Sequence, residues 1–191
     1  MKDILDRLAR PGRLFTSTEV RGRSSCVPRE QRFYGWYFHE VPETVPCAGC
    51  EVRDRATLLY VGIAPESDSS RKNLRSRLAE HFRGNAYGST LRLSLGCLLG
   101  DRLGIELRRT ASGKRMTFGP GERSLSDWLA QHALITFSVV AAPWRFEAQI
   151  INAISLPLNL EHNERHEFHG VLSALRSSSK KRARALSCWP A

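Results

Sequence analysis

Two short strand-like runs, followed closely by a stretch whose apolar residues recur every fourth position, constrain the fold of this chain most. Tyr34 to His39 reads Tyr-Gly-Trp-Tyr-Phe-His, and Ala56 to Gly62 reads Ala-Thr-Leu-Leu-Tyr-Val-Gly. Aromatic and β-branched residues in short runs favour strands. Pro42, Pro46 and Gly49 place turns between the two. Leu74, Leu78 and Phe82 then fall on one face of a helix expected from about Arg71 to Phe82. Leu134 to Val140 is a third strand, and Pro143 opens a helix that must end before Pro157. A last helix is expected over Glu167 to Leu175. Between them, Gly84 to Arg123 reads as an insertion. It holds a short helix (Leu91 to Leu99), a hairpin around Ser112-Gly113 and a helix start at Ser124. The order predicts an α+β fold, with a small, mainly antiparallel three-stranded sheet flanked by helices. Residues 1–32 form a lead-in, 33–176 the domain and 177–191 a basic tail.

Charge narrows the partners. The chain has 191 residues, with 29 Lys and Arg against 19 Asp and Glu, a net charge of +10. Such a surface suits a polyanion, with nucleic acid as the first expectation. Lys180, Lys181, Arg182 and Arg184 follow Ser177-Ser178-Ser179. They read as an unstructured arm that either rests in solvent or touches DNA. The hydrophobic fraction of 41% excludes a disordered chain. No apolar run is long enough to span a membrane. Five scattered cysteines argue against a disulfide scaffold, and the mixed charges of Met1 to Arg7 against a signal peptide. A cytoplasmic location is therefore expected.

Several residues point to chemistry. Glu147, Ile150, Ile151 and Ile154 share one helical stripe. A carboxylate there calls for a cation or an arginine, unless it only complements the helix dipole from the edge of the stripe. Arg77 and His81 lie one turn apart. An arginine can grip a phosphate and a histidine can trade a proton, although a surface Arg beside a half-buried His also fits the spacing. Gly35-Trp36-Tyr37 and Tyr60-Val61-Gly62 pair a tyrosine with a glycine in each of two neighbouring strands.

These motifs, in this order, resemble the GIY-YIG nuclease family. Gly35-Trp36-Tyr37 looks like the first motif and Tyr60-Val61-Gly62 like the second. Arg77 falls on the family's essential arginine, and His81 on the histidine one turn later in some members. Glu147 falls on the metal-binding glutamate, and Asn159 on the asparagine that follows that helix. The resemblance spans about residues 33 to 163. It implies a DNA endonuclease using one Mg²⁺ or Mn²⁺ ion held by Glu147 and no small-molecule cofactor. Arg77 would stabilise charge on the phosphate, Tyr37 or Tyr60 would act as base, and His81 would relay or orient. Asn159 would hold a phosphate or brace Glu147, and Asn163 would add a phosphate contact. Arg71 and Arg75, with Arg108, Arg109, Lys114 and Arg115 of the insertion, are the candidate DNA-binding residues.

The sequence departs from the family in four ways. Tyr37 and Tyr60 lie 23 residues apart. The loop Ser67 to Ser70 is long, and Ile63-Ala64 stands where some members carry a lysine. The fourth departure is the insertion itself. The alternatives are a non-catalytic DNA-binding or repair-accessory module and an RNA-binding or RNA-cleaving protein. Oligomeric state stays open. Cys47-Ala48-Gly49-Cys50 has half the spacing of a zinc site but no second half. The cluster His162, His166 and His169 reads as a loop entering a capped helix.

Overall fold

The computed structural model describes residues 2–22, 25–28, 32–67, 69–70 and 72–189. Its centre is β2 (Arg32–Phe38), hydrogen-bonded antiparallel to β4 (Ala56–Ala64) on one side and to β7 (Ala133–Val139) on the other. These are the three strands read from the sequence. Two-residue strands extend the sheet to five, in the order β1-β7-β2-β4-β3. They are β1 (Phe15–Thr16) and β3 (Val52–Arg53), too short to carry a periodic signal. Among the described residues the sheet is thus five-stranded, not three-stranded.

Alternation along β2 divides the core in two. Tyr34, Trp36 and Phe38 face α3 (Leu74–Arg83) and α6 (Gly121–His132), meeting Leu74, Leu78, Phe82 and Trp128. Phe33 and Tyr37 face the opposite way, onto α1 (Lys2–Ala9) and α7 (Glu147–Ala153), meeting Leu8, Ile150 and Ile151. This is the two-residue period of a strand buried on both faces. The lead-in is therefore part of the fold: α1 packs under the sheet, β1 pairs with β7, and α2 (Ser17–Arg21) follows with a capping box at Thr16.

Helix α3 starts at Leu74, later than the expected Arg71, because Asn73 and Ser76 form a reciprocal capping box there. The insertion folds as α4 (Thr90–Leu98), α5 (Gly100–Leu103) and the expected hairpin, with β5 (Arg108–Arg109) against β6 (Met116–Thr117). The segment opened by Pro143 is a 3₁₀ turn, Pro143–Arg145, that leads into α7. The largest departure is the tail. Helix α8 runs from His169 to Ala185, well past the expected end at Leu175. It packs on α4 and burries Ala183 fully. Residues beyond it are also held: Ser187 and Leu186 carbonyls accept from Arg108 and Arg109, and Trp189 N–H donates to the Arg109 carbonyl. The arm expected to be unstructured is a packed helix and a fixed strap. No described helix is long and apolar enough to cross a membrane.

Candidate active site

Gly62 lies opposite Tyr34 across the β2–β4 ladder. A Cβ on Gly62 would sit 2.6 Å from the Tyr34 ring carbon Cζ, so only glycine lets the ring lie flat over β4. The Tyr34 hydroxyl reaches 2.8 Å from His81 Nε2 and accepts from Arg77 Nε at 3.3 Å. Arg77 and His81, one turn apart on α3, thus converge on a single phenol.

That phenol is not the expected one. Tyr37, three residues along the strand, points to the other face, where its hydroxyl donates to the Leu8 carbonyl at 2.5 Å and lies 3.2 Å from that of Ala9. It caps the carboxyl end of α1, whose last carbonyls lack helical partners. Odd spacing on a strand reverses the face, so Tyr34 and Tyr37 cannot share one site. The sequence carries this signal, because Tyr34 and not Tyr37 keeps the two-residue period of Trp36 and Phe38.

Tyr60 stays on the site face. It lines a cavity of about 230 Å³ together with Thr90, Glu147, Asn159, Glu161 and Arg176. The cavity lies at the outer edge of β4. β3 covers only the start of that edge, and Leu158 N–H continues the pairing by donating to the Leu59 carbonyl. Asn159 completes it: its Oδ1 accepts from Val61 N–H at 2.9 Å and its Nδ2 donates to the Val61 carbonyl at 2.8 Å. One amide side chain therefore replaces a missing strand. It fixes the backbone next to Tyr60 and makes no hydrogen bond to Glu147. Asn163 donates to the carbonyls of Leu156 and Asn159, so its amide holds the turn after α7 and not the cavity.

Glu147 opens α7 and is half-buried. Its carboxylate has no hydrogen bond or ion pair among the described residues, and burial raises its pKa, with the nearby Glu161 adding to the rise. Arg77 is the opposite case. Its guanidinium donates to Glu80 and to the Gly88 carbonyl, and pairs with exposed Glu66 at 3.3 Å. Burial works against that charge, while Tyr34, Tyr60 and Glu66 favour it. His81 is fully buried. Burial, with the charges of Arg77 and Arg92, holds its pKa well below the usual value, so the ring is neutral. Burial also raises the pKa values of Tyr34 and Tyr60, and both phenols keep their protons at rest.

The insertion supplies unexpected partners. Three consecutive residues at the start of α4 each touch the cluster. The Gly88 carbonyl accepts from Arg77, Ser89 Oγ lies 2.7 Å from His81 Nδ1, and Thr90 Oγ1 lies 3.5 Å from the Tyr60 hydroxyl. Ser89 is also the N-cap of α4, accepting from Arg92 N–H. Only the fold shows this, because the tripeptide carries no distinctive spacing.

The candidate DNA-binding residues divide. Arg108 and Arg109 are engaged by the carboxyl-terminal strap, which accounts for part of their donor capacity. Lys114 and Arg115 are exposed at the hairpin tip, with Arg115 stacked 4.3 Å over Tyr87. Arg75 is half-buried on α3, and Arg71 lies outside the described residues. Cys47 and Cys50 are free thiols, and no group of three His, Cys, Asp or Glu among the described residues is arranged to hold a metal. The Ser155 hydroxyl lies 3.6 Å from Cys50 Sγ and 3.1 Å from His166 Nε2.

The family model described as the GIY-YIG catalytic domain matches residues 33–178. No curated protein and no solved structure matches the chain.

Proposed function

The chain belongs to the GIY-YIG catalytic domain family, a family of nucleases, and from that premise we propose that it is a metal-dependent endonuclease hydrolysing phosphodiester bonds in double-stranded DNA. The observation that carries this reading is the Glu147 carboxylate. It is half-buried, without a partner, and faces a cavity that it shares with a phenol and an arginine. An unpaired buried carboxylate is costly unless a cation joins it. The donors lining the cavity are oxygens, from Glu147 and Glu161, which suits Mg²⁺ or Mn²⁺ held by one or two carboxylates with retained water. When bound, such an ion supplies Lewis-acid charge at the scissile phosphate and stabilises the leaving oxygen.

The chain's own residues do the rest. Arg77 is held in place by Tyr34 and Gly88, while its bond to exposed Glu66 is one that a substrate phosphate can replace. A guanidinium so fixed meets the charge that develops in the transition state. Tyr60 is the phenol open to the cavity, whereas the Tyr34 hydroxyl is enclosed between Arg77 and His81. Tyr60 is therefore assigned to the attacking water. The field of Arg77 and the Thr90 bond both act to lower its pKa against burial. Neutral His81 anchors Tyr34 through Nε2 and Ser89 through Nδ1, so its role is to position the cluster.

The test is incubation of supercoiled plasmid with wild type and Glu147→Ala in Mg²⁺, Mn²⁺ or EDTA, with duplex RNA in parallel. Metal-dependent nicking by wild type, lost in the variant with DNA binding retained, is the expected result. Equal cutting by both proteins, or cutting in EDTA, overturns the assignment. Cleavage of RNA in preference to DNA moves the substrate to the alternative class.

A further inference from the structure

We propose that Arg176 is a phosphate-binding residue of the cavity that holds Glu147 and Tyr60, gripping a substrate phosphate there. The proposal rests on the nuclease reading above and extends it to a residue that sequence alone placed just before the basic tail.

Position is the first argument. On α8, Arg176 follows fully buried Leu172 by one turn and precedes buried Ser179 by three residues. It therefore lies on the inward face of the helix, not on the solvent face where tail charges belong. That face meets α4, and Arg176 lines the cavity of about 230 Å³ together with Tyr60, Thr90 and Glu147. At about 30 Å³ per water, the space admits a phosphate group with a few waters.

Charge is the second. Two arginines near the cluster each have a carboxylate. Buried Arg92 pairs with Glu122 through two nitrogens, at 3.2 and 2.7 Å. Arg77 pairs with Glu66 and Glu80. Arg176 has no acid within 4.0 Å among the described residues, and its one hydrogen bond is a 3.5 Å contact to Ser94 Oγ. Its near neighbours, Cys97 and Tyr60, are neutral at rest, and burial works against its charge. A half-buried guanidinium with free donors facing a cavity is stabilised by an anion. Its planar fork matches two oxygens of a phosphate in a way that an ammonium does not.

Labelled duplex DNA, titrated in EDTA across a salt series, tests the proposal, together with the thermal stability of the free protein in inorganic phosphate. Arg176→Gln keeps a donor for Ser94 and removes the charge. It should weaken DNA binding about tenfold and reduce the salt slope by about one released counterion. Phosphate should raise the Tm of wild type more than that of the variant. Ser94→Ala removes the structural bond and should bind as wild type. Arg176→Lys should keep the salt slope yet cleave more slowly. Unchanged affinity and slope in Arg176→Gln overturn the proposal, as does an equal loss in Ser94→Ala. If wild type cuts no nucleic acid but its phosphate response still depends on Arg176, the nuclease reading fails and the phosphate site stands.

Discussion

Replacing Tyr37 by Phe removes a phenol that donates to the end of α1 and touches nothing in the cavity. We expect cleavage within about twofold of wild type and a loss of about 1 kcal/mol in denaturant unfolding, the usual net value of one buried hydrogen bond. Tyr60→Phe should instead lower single-turnover cleavage about 10²–10⁴-fold, the range for a lost general base. Glu147 carries a second prediction at this scale. Its folded pKa is raised, so the folded chain holds the proton more tightly than the unfolded one. That contribution is complete below the unfolded value of about 4.3 and is lost as pH rises through the folded value. Metal-free wild type at neutral pH therefore lacks it, whereas Glu147→Gln keeps it. The variant should melt higher than wild type in EDTA at pH 7, with the difference vanishing in acid. Divalent cation should raise the Tm of wild type alone.

At the scale of elements, a buried arginine of the insertion, its charge met within the insertion by Glu122, helps tie that segment to α3. Arg92 is fully buried and donates to the carbonyls of His81 and Phe82 at the end of α3, while its other nitrogens bind Glu122 of α6. Glu122 also accepts from Ala86 N–H and Phe118 N–H. Removing one partner leaves the other charge buried, so Glu122→Ala should cost about 3–5 kcal/mol by chemical denaturation. Its cleavage should fall with the folded fraction. The elements themselves were largely legible in the sequence. The three long strands follow from their runs of strand formers, and α3 from Leu74, Leu78 and Phe82, all fully buried. Arg77, His81 and Glu147 could be picked out because each combines a charged or titratable group with a helical stripe. What sequence hid was contact across the fold. Ser89 and Thr90 are common residues at an ordinary helix start, and only the packing of α4 brings them to His81 and Tyr60. Asn159 was noticed by its place after α7, but its bond to Val61 depends on a strand edge that no local pattern reveals.

For the molecule as a whole, the carboxyl-terminal segment is structural. The serine run and the lysines that follow read as a loose arm, because serine is a weak helix former and no acid interrupts the charge. Tertiary packing outweighs that local preference: Leu172, Ser179 and Ala183 form the buried side of α8. Deleting residues 179–191 should lower stability by about 2 kcal/mol or more, through lost apolar burial and orphaned arginine donors, as read by the Tm. A purely electrostatic arm would leave the Tm unchanged and alter only salt-dependent binding. The placement of Gly88, Ser89 and Thr90 has a practical consequence for redesign. Transplanting a foreign segment between α3 and α6 would also exchange the groups that hold Arg77, His81 and Tyr60 in place. Any useful graft must keep that three-residue threshold and begin its variation beyond it.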